Sequence, residues 1–584
     1  MKLSEYVIKF FENKGIDRVF LVNGGSIAFM IDTFKKFKKI KYVCSVHEQG
    51  AAMMADGYAR IKKKPGVTMV TSGPGAQNLI TGIASSWFDS IPTIHICGQV
   101  NSNDFLISKK NYPVRQCGFQ ETDIVSISKP ITKFSYRLKN PNEIVKILNF
   151  AYETAIHGRP GPVLLDIPMN FQNQFINIQK KISLLPLRKP KTIKLNFLKN
   201  IKKKIISSKK PLVIIGGGIE TSEAKNELLS FIDNTKIPVV ASWAGYGTCD
   251  KSLKNFRGTI GVYGSRVANM MLQKSDLILN LGCRLDTRVL GGRRNEFAPN
   301  AKIISVDIDK NELNKTKGLK IDFKIECDLK LFLNKFNSIF KNEKLKINDW
   351  NYEIDNLKSE FEDFGKRKKK SNKFVNPYIL FEKLSKKIKK NDIIIGDTGA
   401  HLTWAAQTIK LKENNKFISS FGNSPMGFAL PASIGACFAN KKTRVLSING
   451  DASIQLNVQE LQTIKNYKLN LKIFILNNSG FGIIKQFQDS YLKSRYEASN
   501  YNTGVTNPNF KFLAKAYGLN YELINKDIMI KKKLDKIMKN KKTTIIEIKI
   551  HPNEKIIPKL LFGKTLDEMY PYISKKKLLN IKKL

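Results

Sequence analysis

The chain has 584 residues, 42% of them hydrophobic and 25% charged, which are ordinary globular values over a length suited to three or four domains of roughly 150 residues each. Its 99 lysines and arginines against 49 aspartates and glutamates give a formal charge of +50. The lysines, however, are spread over most helices and loops in small clusters (62–64, 202–204, 368–370 and 575–577) and are not gathered on one face with interleaved aromatics, so the charge describes a solvated surface and argues against a nucleic-acid binder.

The opening MKLSEYVIKFFENKGIDRVFLV places apolar side chains at helical spacing and then runs into a strand, which predicts the first element of a domain and not a signal peptide. Through residue 175, short apolar runs (VFLV, YVCSV, VTMVTSG, TIHICG, VLLDIP) alternate with helical patterns, as in a doubly wound parallel sheet. From about 176 to 208 the chain turns basic and irregular, a linker into the first helix of a second unit set at 190–340. That unit repeats the alternation with PLVIIGGGIE, VVASW, LILNLG and KIISVDID. A charged connector follows, and a third unit at 376–552 carries IIIGDTGAH, FISSFGN, RVLSING and LKIFILNNSG, before a tail at 553–584. The first and third units resemble each other in layout, and no repeat with a period of 20 to 50 residues interrupts them.

No stretch reaches the ~18 apolar residues of a membrane span. The seven cysteines are scattered singly without a CxxC pair. Cys44, Cys97, Cys249, Cys283 and Cys437 lie in or beside apolar or glycine-rich segments, as expected of mostly buried, reduced thiols in a cytoplasmic protein.

Asp451 and Asn478 each close an apolar strand pattern and stand 27 residues apart, the span of one βαβ unit of roughly 30 residues. Both tips are expected at the carboxyl edge of neighbouring parallel strands, where open α/β sheets bind ligands. With the carbonyl of Gly480 they offer three oxygens to a hard cation such as Mg²⁺ carrying a diphosphate. Each alone reads equally as a cap or a turn residue. Glu48 sits at a strand-to-helix junction, where an acid also complements the helix dipole. Gly73, Pro74 and Gly75 expose backbone N–H groups at a helix start. Gly216, Gly217 and Gly218 after LVII either admit a dinucleotide phosphate or turn the chain, since their spacing is not GxGxxG.

GDAS followed 27 residues later by NN resembles the diphosphate and Mg²⁺ motif of thiamine-diphosphate enzymes. HEQGAAMMADGYAR and TSGPGAQN resemble their pyrimidine-binding domain. GFQETDIV, RPGPVLLDIP, GCRLDTRV, VDIDKNEL, DTGAHLTWAAQ and SPMGFALPASIGA extend the match in order from about residue 3 to 550, and the set is most similar to the large catalytic subunits of acetolactate synthase. The resemblance implies an α/β fold of three doubly wound parallel-sheet domains: pyrimidine-binding, central Rossmann-like for FAD or a nucleotide, and diphosphate-binding. It also implies thiamine diphosphate, Mg²⁺ and FAD as cofactors, a 2-keto acid substrate, and a homodimer or homotetramer whose active site forms between subunits. A small regulatory subunit is a further implied partner, whereas nucleic acid and membrane are not.

By that resemblance Glu48 activates the aminopyrimidine of the cofactor, and Met426 is the hydrophobic wedge that folds the cofactor. Gly25, Phe119 and Gln120 line the substrate pocket, and Arg288 holds the acceptor carboxylate, a role suited to a planar guanidinium. Gly73, Pro74, Asn78, Ala400, His401, Gly450, Ala452, Ser453 and Phe481 join Asp451, Asn478 and Gly480 around thiamine diphosphate. Gly216, Gly217, Gly218, Arg284 and Asp307 fall on the flavin side. The chain departs from the family at Asn23-Gly24-Gly25 for Pro-Gly-Gly, Met169 for Lys, Ala452 for Gly, Phe487 for Trp, and Val262-Tyr263 for Met-His. Several departures, with the tail KIIPKLLFGKTLDEMYPYI, resemble related enzymes encoded among surface-sugar genes, whose acceptor would be a nucleotide-linked keto sugar. A basic polyanion-binding protein on an inactive scaffold is the remaining reading, and Glu48, Asp451 and Asn478 together argue against it.

Overall fold

The computed structural model describes residues 1–106, 114–178, 193–315, 318–341, 343, 345–362 and 372–583. The lysine cluster at 368–370 and the basic run 179–192 of the expected linker lie outside the described residues.

Among the described residues, eighteen strands form three six-stranded sheets, parallel throughout. The first contains β1 (Arg18–Leu21), β2 (Lys41–Cys44), β3 (Gly66–Val70), β4 (Thr93–Gln99), β5 (Phe134–Arg137) and β6 (Val163–Pro168). The second contains β7 (Pro211–Ile215), β8 (Val239–Ala241), β9 (Phe256–Thr259), β10 (Leu277–Leu281), β11 (Lys302–Asp307) and β12 (Phe323–Glu326). The third contains β13 (Ile393–Gly396), β14 (Lys416–Ile418), β15 (Val445–Gly450), β16 (Leu471–Asn477), β17 (Asn520–Ile524) and β18 (Thr544–Lys549).

The first and third sheets share one strand order, β2-β1-β3-β4-β6-β5 and β14-β13-β15-β16-β18-β17. The central order, β12-β11-β10-β7-β8-β9, is that of the doubly wound dinucleotide fold. Interior strands such as β4, β6 and β16 are buried at every position, because helices cover both faces of each sheet.

Each sheet has a switch point where the chain leaves in opposite directions: β1/β3, β7/β10 and β13/β15. Ligands of such sheets bind in the crevice these reversals open.

One helix crossing ties the outer sheets together. The helix Glu48–Lys62 starts with its N-cap His47 accepting the N–H of Gln49 at 3.1 Å, and packs on the helix Ala429–Ala439. Both are rich in alanine and glycine and buried on nearly all sides. The backbones meet directly: a Cβ on Gly57 would lie 2.1 Å from the Ala432 carbonyl oxygen, and one on Gly435 would lie 1.9 Å from that of Met54.

The tail after β18 is fastened to two domains. Leu560 donates its N–H to the Val262 carbonyl at 2.8 Å, Trp404 Nε1 donates to the Lys555 carbonyl at 3.3 Å, and Arg266 Nη2 donates to the Met569 carbonyl at 3.1 Å.

Five of the seven cysteines are buried, whereas Cys44 and Cys117 are exposed. Cys44 corrects the expectation of a buried thiol, because it ends β2, an edge strand with only Val43 buried. Among the described residues no helix is long and apolar enough to cross a membrane.

Candidate active site

The third sheet places Asp451 just beyond β15 and Asn478 just beyond β16. The two strands are hydrogen-bonded neighbours, with Gly450 level with Leu476, so the two tips meet at one sheet edge as the spacing required. Asp451 is 2% exposed. Its Oδ1 accepts the Ala452 N–H at 2.9 Å, and its Oδ2 accepts the Gly480 N–H at 3.2 Å and the Asn507 amide at 2.7 Å. Burial pushes the Asp451 carboxyl up to about 6 against these donors, so a nearby cation would favour its charged form.

Across the switch point, Asp397-Thr398-Gly399 follows β13 and leads into the helix Ala400–Thr408. Gly399 has φ +154°, and a Cβ there would lie 2.3 Å from His401 Cε1; one on Gly450 would lie 2.8 Å from the same atom. The two glycines therefore make the slot that admits the His401 ring beside Asp451. His401 is buried and kept neutral, its pKa pushed down to about 3 by desolvation. Ser453 Oγ closes the same turn by accepting the Gly450 N–H at 3.0 Å.

Two polar atoms here, His401 Nε2 and Asn478 Nδ2, are buried without a hydrogen-bond partner among the described residues. Other buried polar atoms of this chain also lack partners, but these two flank the Asp451 edge, where a polar ligand would meet both. One carboxylate, one amide, a helix start and a glycine-shaped slot fit a cation-bound diphosphate. They do not fit an all-protein metal cage, and among the described residues no cluster of three His, Cys, Asp or Glu side chains occurs. Gly480, with φ +148°, lies against Ser499, and a Cβ would come 2.4 Å from that residue's carbonyl oxygen. Phe481 donates its N–H to the same carbonyl at 3.0 Å.

The first sheet gathers a second group of residues. Glu48 is 8% exposed, and Asn78 Nδ2 donates to its Oε2 at 3.0 Å. Gly73, with φ +58°, opens the turn Pro74–Gln77 and has no room for a side chain, since a Cβ would lie 2.9 Å from that of Gln120. Gln120 also takes a left-handed φ of +65°, and its neighbour Phe119 is 84% exposed. Ser26 Oγ and Thr71 Oγ1 are 2.8 Å apart, and Ser26 Oγ accepts the Ser72 N–H at 2.8 Å, which holds exposed Gly25 beside the Gly73 turn. Glu48, Asn78, Gly73, Pro74, Gln120, Phe119 and Gly25 thus stand at one edge.

Met426 is half-buried on the loop after β14. Asp89 of the first domain accepts the N–H groups of Phe421 (2.9 Å) and Gly422 (2.7 Å) on that loop, and is itself held by Arg60 at 2.9 Å.

The central switch point opens into a cavity of about 360 Å³ shared by all three domains, lined among others by Gly217, Gly218, Arg284, Arg288 and Asp307. Gly216 is not among its lining residues. It is a packing glycine, and a Cβ there would lie 2.1 Å from the Gly282 carbonyl oxygen. Arg284 Nη1 donates to the Phe88 carbonyl at 2.7 Å. The Arg288 guanidinium lies 5.5 Å from the centre of the Trp243 ring, which stacks on Tyr263 at 5.6 Å, and its Nη1 reaches Ser424 Oγ at 3.4 Å. Burial pushes Asp307 up to about 6.

Asp397, Asp89, Asn507 and Glu460, which no sequence motif marks as site residues, support the site from behind. Asp397 lies within the GDTG motif, but its role appears only through the backbone N–H groups it accepts, as for Asp89 and Glu460, whereas Asn507 shows itself by donating to the Asp451 carboxylate.

Comparison with known proteins agrees with this geometry. The chain matches the N-terminal TPP-binding domain of thiamine pyrophosphate enzymes over residues 1–127, their central domain over 198–336 and their C-terminal TPP-binding domain over 397–548. The three sheets and the crevices at their edges are those of a thiamine pyrophosphate enzyme. The acetolactate synthase large subunit of Cyanidium caldarium is 34% identical over 568 residues, covering 95% of this chain and 94% of that protein. The large subunit of acetolactate synthase isozyme 2 of Escherichia coli K12 is 32% identical over 574 residues, covering 98% and 100%. The acetolactate synthase large subunit of Lactococcus lactis is 33% identical over 568 residues, covering 97% and 95%. The chain belongs to the acetolactate synthase large-subunit family.

Proposed function

We propose that the protein is a thiamine-diphosphate- and Mg²⁺-dependent carboligase that decarboxylates pyruvate and joins the two-carbon unit to a second 2-keto acid. The observation that carries this is the Asp451–Asn478 edge with its two orphaned buried polar atoms, in a chain that also presents a buried, amide-oriented glutamate at Glu48.

When bound, thiamine diphosphate supplies the nucleophilic carbon and the electron sink for decarboxylation. Asp451, Asn478 and the Gly480 carbonyl would hold the cation, and Ala400 and His401 at a helix start would meet the diphosphate, with Gly450, Ala452, Ser453 and Phe481 shaping its bed. Gly73, Pro74 and Asn78 would border the ring end. There Glu48, oriented by Asn78, would hold and pass the proton that activates the ring. Met426 would support the bent ligand. Gly25, Phe119 and Gln120 would wall the substrate, and Arg288 would take the acceptor carboxylate in a two-pronged grip.

Gly25 and Phe119 stand exposed in the single chain. We propose that a second copy covers them, so that Glu48 of one chain serves the Asp451 edge of the other in a homodimer or homotetramer. The central cavity would take FAD through Gly217, Gly218, Arg284 and Asp307. A small regulatory subunit and a cytoplasmic location complete the reading. Calorimetric titration tests it: thiamine diphosphate should bind only with a divalent cation, and Asp451→Ala should abolish that dependence.

One observation favours a different acceptor for the same donor chemistry. Phe487, where the family resemblance implies Trp, packs with Tyr491 (4.9 Å) and Phe562 (5.8 Å) in an aromatic cluster completed by the tail. That broad face suits the ring of a nucleotide-linked keto sugar. Product analysis with pyruvate and a panel of acceptors separates the two readings.

A further inference from the structure

Met426 carries no polar handle, so its position is inherited from its backbone. The loop that bears it runs from β14 to the helix Ala429–Ala439, and the structure fastens it at both ends. Asp89 holds the upstream end at Phe421 and Gly422. At the downstream end stands Asp397, fully buried just beyond β13. Its Oδ2 accepts the N–H of Gly427 at 3.0 Å, and its Oδ1 accepts those of Phe428 at 3.2 Å and Thr398 at 2.8 Å. Gly427 is gripped from the other side as well, its carbonyl accepting Asn457 Nδ2 at 2.8 Å. It sits at φ +84°, and a Cβ would come 2.8 Å from that of Leu456. The residue after Met426 is therefore fixed by two side chains and by a backbone conformation that favours glycine.

We propose that Asp397 is a positioning residue that sets the place of Met426 by anchoring the N–H groups of Gly427 and Phe428. This rests on the reading of Met426 as the support of the bent cofactor. Only a carboxylate suits the post: it accepts at both oxygens, whereas an asparagine of the same shape must turn an NH₂ group toward an N–H donor and release one anchor. The loop then shifts by a fraction of an ångström to an ångström. Displacements of that size cost about 100-fold in reactions that need tight alignment.

Two readouts test this. In the cofactor-free protein, amide hydrogen exchange should show Gly427 and Phe428 protected, and Asp397→Asn should speed their exchange while leaving the strand β15 unchanged. In protein loaded with thiamine diphosphate and Mg²⁺, exchange of the thiazolium C2 proton should slow about 10- to 100-fold in Met426→Ala and in Asp397→Asn, with cofactor affinity within about threefold of the parent. The double variant should be no slower than the worse single one, as expected of two residues acting through one element.

Parent-like C2 exchange in Asp397→Asn beside slowed exchange in Met426→Ala would overturn the anchoring role alone. So would a double variant whose effects multiply. Parent-like exchange in Met426→Ala would remove the reading of Met426 and the anchoring role with it. If Asp397→Asn does not fold, Asn457→Ala loosens Gly427 from its other side and is expected to slow C2 exchange in the same way; a parent-like rate there overturns the proposal.

Discussion

Glu460, in the third domain, accepts the backbone N–H of His47 at 3.1 Å, immediately before Glu48 in the first. Its carboxylate also takes Ser45 Oγ at 2.8 Å, the Val46 N–H at 3.2 Å and Thr463 Oγ1 at 2.6 Å, and it is fully buried. A Cβ on Gly50 would lie 2.4 Å from the same carboxylate, so the first turn of the Glu48 helix is moulded around it. The backbone of Glu48 is thus placed by the other cofactor-binding domain of its own chain. Glu460→Gln keeps the shape but points an amide at backbone donors. It should cost about 1–3 kcal/mol of stability, the usual penalty for leaving buried donors unmet. Chemical denaturation measures this, and an unchanged midpoint would mean the contact carries no load.

The helix crossing gives a prediction whose sign opposes helix propensity. In an exposed helix Gly→Ala gains about 1 kcal/mol. At Gly57 the added methyl would lie 2.1 Å from the Ala432 carbonyl oxygen, which is backbone and cannot swing aside. Gly57→Ala should therefore lower the melting temperature, with a net loss of about 1–3 kcal/mol from overpacking. Thermal unfolding decides between the two signs.

The proposed sharing of one site between two chains has an arithmetic consequence. In their proposed roles as proton-transfer group and cation ligand, Glu48→Gln and Asp451→Asn should each lower turnover by about 10² or more. Unfolded together and refolded, the two variants form mixed dimers in which one of the two sites receives both native residues. Activity should then recover to about a quarter of the parent's, since random pairing makes half the dimers mixed. No recovery would place Glu48 and Asp451 of one chain in the same site.

The central cavity predicts a pH dependence. Burial raises Asp307 to about 6 from an ordinary aspartate value near 3.9. A raised folded-state pKa means that the folded protein holds a proton that the unfolded chain releases between about pH 4 and 6, so ligand-free stability from this group falls as pH rises through that window. A flavin that donates hydrogen bonds to the ionised carboxylate should bind more tightly above pH 6 than below it. Fluorescence titration at pH 5 and pH 7 tests this, and Asp307→Asn should flatten the difference.

Most of the fold was legible in the sequence because interior parallel strands are apolar on both faces and end in polar or glycine turns. The runs before Asn23, Asp397, Asp451 and Asn478 all became strands. The strands not picked out are chiefly edges, β5, β9, β12 and β17, whose half-buried positions dilute the pattern. β18 is interior, but its Glu547 and Lys549 break the apolar run. Asp451 and Asn478 were legible together because one βαβ unit fixes their spacing. Asp397 and Glu460 were not legible as supports, since each acts on backbone N–H groups between 30 and about 414 residues away, a relation that local pattern does not encode.

The most direct test of the account is turnover of pyruvate by the purified protein with thiamine diphosphate and Mg²⁺. The expected result is CO₂ release with formation of a carboligation product, acetolactate when pyruvate is also the acceptor, and loss of both in Glu48→Gln. Cofactor and cation binding without any CO₂ release from pyruvate would contradict it.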